Sequence, residues 1–83
     1  MNDNSGDPRA ELRALRSEIR RLCHDIQNPV AIISGNAQLL AEIARGLGLP
    51  DEVRLPITDL VEANQLLAER VEQLRVLGTA DGL

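Results

Sequence analysis

The amino-acid sequence predicts an all-α protein: an antiparallel two-helix hairpin that forms a homodimeric four-helix bundle, with an N-terminal parallel coiled-coil extension. Three observations predict this fold. Apolar residues recur every seven positions along two long segments, and a stretch rich in Gly and Pro separates these segments. The chain has only 83 residues, no aromatic residue and one cysteine, so neither ring packing nor an intrachain disulfide can stabilise it. A second copy is the remaining source of stability.

The first helix is predicted over about residues 8–45. Residues 1–7 are expected to be a disordered tail, whose last residue, Asp7, is the N-cap, and Pro8 is the first residue of the helix. Gly46 is the expected C-cap. The seven-residue series along this helix comprises Leu12, Ile19, Ile26, Ile33, Leu40 and Leu47.

The second helix is predicted over about residues 51–77, so the hairpin domain covers residues 8–77. Its start is ambiguous because Pro56 cannot donate to the preceding turn: either Pro50 to Arg54 forms a separate turn, or the helix bends there. Gly78 is expected to end the helix, and residues 78–83 form a tail. The two seven-residue series of this helix are Val53, Leu60, Leu67 and Leu74, and Ile57, Asn64 and Val71.

The positions that flank the seam of helix 1 change character near residue 23. Before it they are charged, as in a two-stranded coiled coil, and after it they are apolar, which is typical of a helix with several neighbours. A fold-back at residues 46–55 pairs positions whose numbers sum to about 100, so helix 2 reaches back to about residue 23. This register places Asn36 opposite Asn64 and predicts a polar layer in the core. The apolar flanking residues are Val30, Ala37 and Ala44 on one side and Ile32 and Leu39 on the other.

Composition argues against several functions. The net charge is −4, with nine Arg and no Lys, so nucleic-acid binding is not expected. No apolar run is long enough to cross a bilayer and the polar start is not a signal peptide, so a cytoplasmic location without a membrane segment is expected. No metal site is expected, because Cys23 and His24 have no second Cys or His to complete one. The series Arg9, Arg13, Arg16, Arg20 and Arg21 is interpreted as a solvated face.

His24 is the only histidine and falls at the outermost heptad position, where it faces water. One exposed histidine on a helix usually does nothing, but here Asp25 adjoins it and Asn28 lies one turn further on. Pro29 leaves the carbonyl of Asp25 without its helical donor and is expected to bend the helix. The strip beyond His24 is small or uncharged, which suits either a docking surface for a partner or tolerance of the bend. Its residues are Gln27, Asn28, Ala31, Ser34, Gly35 and Gln38.

The run His24-Asp25-Ile26-Gln27-Asn28-Pro29, followed by "VAIISGNAQLL", resembles the H-box of bacterial sensor histidine kinases. The resemblance extends over residues 12–77, the dimerisation and phosphoacceptor hairpin of that family. It implies that His24 accepts the γ-phosphoryl group of ATP and passes it to an aspartate of a response regulator. It also implies that Asp25 orients His24 or takes its proton, that Asn28 positions a water for the phosphatase reaction, and that Pro29 allows the helices to move between states.

The resemblance implies as partners a second copy of the chain, the receiver domain of a response regulator and an ATP-binding kinase domain. ATP and Mg²⁺ belong to the kinase domain and the regulator, and this chain is expected to bind no cofactor. Phosphotransfer therefore needs a catalytic domain in cis or in trans, so the chain is either a kinase fragment, which the coiled coil favours slightly, or a free-standing phosphoacceptor. The alternative function is a structural or decoy dimeric hairpin that binds a regulator without phosphotransfer.

Overall fold

The computed structural model describes residues 7–79, which form two antiparallel helices, α1 (Pro8–Gly46) and α2 (Asp51–Thr79). They pack along their length into a narrow hairpin of 66 × 21 × 16 Å. The predicted all-α hairpin is confirmed. The predicted tails lie mostly outside the described residues, which exclude 1–6 and 80–83.

α1 begins as the sequence predicts and ends differently. The carboxylate of Asp7, which has an extended backbone, accepts a hydrogen bond from the Arg9 amide at 3.0 Å. The expected C-cap was Gly46, but Gly46 is still helical and Leu47 is the cap residue. Gly48 takes the left-handed conformation, with φ +64°. The chain therefore reverses at Gly48 and not at Gly46, because a residue without Cβ adopts the left-handed conformation without strain.

α2 is continuous through Pro56, so the alternative of a separate turn over Pro50 to Arg54 is wrong. The carbonyl of Pro50 accepts the amides of Val53 at 2.9 Å and Arg54 at 3.0 Å, which starts the helix at Asp51. Pro56 removes the backbone donor of the Glu52 carbonyl in the second turn, and α2 loses this hydrogen bond without being interrupted. At the other end α2 reaches Thr79, two residues beyond the predicted end.

The two helices meet along one heptad seam from each. The buried residues are spaced by seven on both helices: Cys23, Val30, Ala37 and Ala44 on α1, and Asn64, Val71 and Gly78 on α2. On α1 this seam is the flanking series, which the sequence analysis identified as turning apolar near residue 23. Small side chains on that series let the helices approach closely.

The predicted pairing of Asn36 with Asn64 is wrong within the hairpin. Asn64 is buried, but its side-chain amide donates to the backbone carbonyl of Val30 at 3.2 Å, whereas Asn36 is exposed. The predicted register assumed a fold-back centred later in the chain. Because the turn is short and α2 starts at Asp51, α2 reaches further along α1, and Gly78 lies against Arg16 and Ile19.

The main seven-residue apolar series of α1, which runs from Leu12 to Leu47, is not covered by α2 and remains largely exposed in the single hairpin. Ile33 is 46% exposed and Leu40 is 48% exposed, and the same series continues on α2. Isolated exposed leucines are common on proteins, but a continuous heptad stripe on both helices is not. The hairpin thus presents one long apolar face, comprising Ile26, Ile33, Leu40, Leu60, Leu67 and Leu74.

Candidate functional site

The site is built on the middle of α1, where His24 stands out into solvent. Its side chain is 77% exposed. The preceding residue, Cys23, is fully buried against α2, and consecutive helical residues point about 100° apart, so burial of one turns the other outward. The outward orientation predicted for His24 is therefore confirmed by the structure.

Asp25 is the acid nearest to the imidazole. Its Oδ1 lies 3.9 Å from His24 Nδ1, and its Oδ2 accepts a hydrogen bond from the Arg21 guanidinium at 3.1 Å. Arg21 thereby holds one carboxylate oxygen and leaves the other facing the ring. Nδ1 is thus the ring nitrogen on the side of Asp25, and the ring as a whole stands in solvent.

Arg21 also forms an ion pair with Glu18. The hydrogen bond between them lowers the pKa of Glu18 and raises the pKa of Arg21. All three charged side chains are more than half exposed, so this short chain of charges orients Asp25 more than it stabilises the fold. It runs along α1 from Glu18 through Arg21, both before His24, to Asp25, which directly follows it.

The remaining strip residues continue along the same side of α1. Asn28, one turn beyond His24, is exposed, as are Pro29, Ala31, Gly35 and Gln38, whereas Gln27 and Ser34 are half-buried beside α2. A Cβ added at Gly35 would meet no atom within 4 Å. The strip is thus an open, low-relief surface, and Pro29 lies within an unbroken helix in which the Asp25 carbonyl has lost its backbone donor.

The structure brings together two residues to which sequence reasoning gave other roles. Gly78, expected to end α2, is buried inside it, and Arg20, interpreted as solvated, donates from its guanidinium to the Gly78 carbonyl. A Cβ at Gly78 would lie 3.0 Å from Ile19 Cγ2 and 3.2 Å from the carbonyl oxygen of Arg16. One signal could have found this contact: α2 has no basic residue in its last turn to interact with its own carbonyls.

Neither a metal centre nor a membrane anchor is recognisable in this part of the chain. Among residues 7–79 no three His, Cys, Asp or Glu side chains are grouped so that they could hold an ion. Neither described helix contains an apolar stretch long enough to cross a bilayer.

The chain matches a known protein family. Residues 14–82 match the family model of the His Kinase A (phospho-acceptor) domain, and this match covers most of the chain, including His24, all of α2 and all of α1 except its first six residues. No curated protein and no solved structure matches the chain. The general role of this family is that of a phosphoacceptor and dimerisation domain, with kinase and response-regulator partners. On this evidence the chain belongs to the HisKA family, the dimerisation and phosphoacceptor domain of histidine kinases.

Proposed function

We propose that His24 is the phosphoacceptor of this domain and that it passes its phosphoryl group to an aspartate of a response regulator. The observation that carries the proposal is the 77% exposure of His24, the only histidine, on the outer side of the hairpin. The domain family to which the chain belongs is a phospho-acceptor family. Both reactions need a ring that two other proteins can approach in turn. A buried histidine could not serve them.

In the first reaction a ring nitrogen of His24 attacks the γ-phosphorus of ATP on a separate kinase domain. A P–N bond forms, the bond from the γ-phosphorus to the bridging oxygen breaks, and ADP leaves. The neutral imidazole attacks with the lone pair of its unprotonated ring nitrogen. In this proposal Nε2 attacks, and Oδ1 of Asp25, which lies 3.9 Å from Nδ1, takes the Nδ1 proton as positive charge develops.

In the second reaction the phosphoryl group moves to a carboxylate of the receiver domain. The partner docks on the strip formed by Gln27, Ala31, Ser34, Gly35 and Gln38, where small side chains allow close approach. Asn28 acts in the dephosphorylation of the response regulator. Its exposed amide positions a water that hydrolyses the regulator's phosphoaspartate. Mg²⁺ and ATP are held by the partner domains, and their presence implies a cytoplasmic location.

The working unit is a homodimer. Its support is the exposed heptad stripe on both helices, since a second hairpin is the apolar partner that would complete a four-helix bundle. The N-terminal part of α1, before the region that α2 covers, then pairs with its counterpart as a parallel coiled coil. Pro29 lies between the coiled coil and the bundle's closed end and gives α1 a point at which it can bend.

Incubation with the ATP-binding domain of a histidine kinase and labelled ATP tests the phosphoacceptor role. The expected product is an acid-labile, base-stable phosphate that is absent in His24→Gln and strongly reduced in Asp25→Asn. The matched control is Asp59→Asn on α2, which should be labelled like the wild type. Regulator binding without any label would contradict the proposal and support a decoy.

The phosphatase role of Asn28 needs a separate measurement. Asn28→Ala should accept phosphate on His24 normally but lose the ability to accelerate dephosphorylation of a response regulator. Gln38→Ala, on the same strip but away from His24, is the control. It shows what a change on the docking surface does when Asn28 is intact. If both variants lose labelling and dephosphorylation together, the separate role assigned to Asn28 is wrong.

A further inference from the structure

The contact between Arg20 and Gly78 joins the end of α2 to the turn of α1 that precedes His24. The last carbonyls of any helix lack intrahelical donors and carry the negative end of its dipole. In α2 the last turn has no basic residue, and the cation is supplied instead by Arg20, across the hairpin. Arg20 therefore acts as the C-cap of a helix to which it does not belong.

The packing beneath this contact is close. A Cβ at Gly78 would come within 3.2 Å of the Arg16 carbonyl oxygen and within 3.1 Å of Arg20 Cγ, so the α2 backbone lies directly on α1 there. A helix end that is held this closely depends on the few polar contacts around it. Loss of the Arg20 donor would leave the Gly78 carbonyl without its side-chain partner.

Arg20 also lies one helical turn before His24 on α1. The two residues are four positions apart, one turn of α1, and side chains on a helix lean toward its N-terminus, which directs the imidazole over the turn of Arg20 and Arg21. Arg21 is already engaged by the carboxylates of Glu18 and Asp25. Arg20 donates to a neutral carbonyl, a weaker acceptor than an anion.

A phosphoryl group on His24 would add charge and three strong acceptor oxygens beside this guanidinium. We propose that Arg20 is shared between two acceptors: it caps α2 while His24 is unmodified and pairs with the phosphoryl group once His24 carries one. Its departure uncaps α2, and the last turn frays. The state of His24 is thereby transmitted to the C-terminal end of α2. This inference depends on the proposed role of His24 as the modified residue.

Phosphoramidate provides a test that needs no kinase. A ring nitrogen of His24 attacks its phosphorus, a new P–N bond forms, the original P–N bond breaks and ammonia leaves, while the ring gives up a proton. Amide hydrogen exchange of Leu77, Gly78 and Thr79 is then compared by NMR before and after modification. In the wild type these amides should exchange about fivefold faster in the phosphorylated protein, the factor expected for loss of one hydrogen bond.

Two variants make the comparison decisive. Arg20→Gln should show fast exchange at the end of α2 from the outset and no further change on phosphorylation, whereas Arg21→Gln should respond like the wild type. His24→Gln treated with the reagent controls for other effects, and unchanged exchange at Ile33 shows that each variant is folded. Equal exchange in modified and unmodified wild type, or a full response in Arg20→Gln, would overturn the inference. A kinase that fails to label His24 would contradict only the proposed function, because chemical modification does not depend on it.

Discussion

Asn64 is buried between the helices, and its side-chain amide donates a hydrogen bond to the other helix. The hydrogen bond to the Val30 carbonyl satisfies one amide proton in a seam that is otherwise apolar. A carbonyl inside a helix can accept this second hydrogen bond because it has two lone pairs. Asn64 therefore favours one register of α2 along α1.

We expect Asn64→Ala to lower the free energy of unfolding by about 1–3 kcal/mol, since it removes a buried hydrogen bond and leaves a small cavity. Asn36→Ala is the matched control. Its side chain is exposed in the hairpin, and its effect should stay within about 0.5 kcal/mol. Urea unfolding at one fixed protein concentration measures both, and equal losses would contradict the role given to Asn64.

Two glycines in helices should respond to alanine with opposite signs. Gly35→Ala should stabilise the protein by about 0.5–1 kcal/mol, because its Cβ meets open space and alanine is the better helix former. Gly78→Ala should destabilise it, because its Cβ would lie 3.2 Å from a backbone oxygen of α1 that cannot move independently. Thermal unfolding compares the two, and a stabilised Gly78→Ala would show that the helices separate easily there.

Single residues differ in how well the sequence predicts them. The outward direction of His24 follows from heptad position alone, because the angle between successive helical residues is fixed. The partner of Asn64 does not, because it depends on how far α2 slides along α1. That distance is set by the left-handed Gly48 and by the first turn at Pro50, whose combined geometry the heptad pattern does not contain.

Each helix contains a proline, and the two prolines should differ in how far they lower the free energy of unfolding. Each removes one helical hydrogen bond, but Pro56 does so in the second turn of α2, where only five helical residues precede it, whereas Pro29 lies well inside α1, about one turn after His24. The interior position should be the more expensive one. We interpret the presence of a proline at this costly position as a requirement of function.

Pro29→Ala should therefore raise the free energy of unfolding, by up to about 3 kcal/mol, because it restores the donor to the Asp25 carbonyl. It should also change the ratio of kinase-dependent labelling of His24 to dephosphorylation of a regulator. Pro56→Ala should raise stability less and leave that ratio unchanged. A Pro29→Ala protein with wild-type activities would contradict the functional interpretation.

The extent of each helix was predictable to within two residues because both are bounded by Gly and Pro. The errors lie at the caps. Gly46 and Gly48 are both plausible C-cap residues by sequence, and only the backbone shows which one reverses the chain. Gly78 looked like a terminator for the same reason, whereas its lack of a side chain serves the contact with α1.

On the scale of the whole molecule, a single hairpin leaves its main apolar face exposed and so does not complete a hydrophobic core. The heptad pattern predicted two faces on α1, and the structure assigns the flanking one to α2 and leaves the principal one exposed. A single sequence could not show which face α2 would take, because both are apolar. The choice depends on side-chain size, and the smaller series lies inside the hairpin.

Leu40→Glu places a charge on the exposed apolar face and should prevent dimerisation at micromolar concentration, because its carboxylate would be buried without a partner in the bundle. Gln38→Glu adds the same charge on the outer strip and should leave the dimer intact. Sedimentation equilibrium distinguishes the two. A dimeric Leu40→Glu protein would mean that a different surface joins the copies.

The narrow seam lined by Cys23, Ala37 and Ala44 has a consequence for the amount of working protein in a cell. Side chains this small bury little apolar surface. We therefore expect that burial within a single hairpin contributes too little free energy to offset the conformational entropy lost on folding. If the chain pairs as proposed, we expect folding and dimerisation to be coupled, so that stability rises with protein concentration. A newly made copy without a partner would then be open to proteolysis.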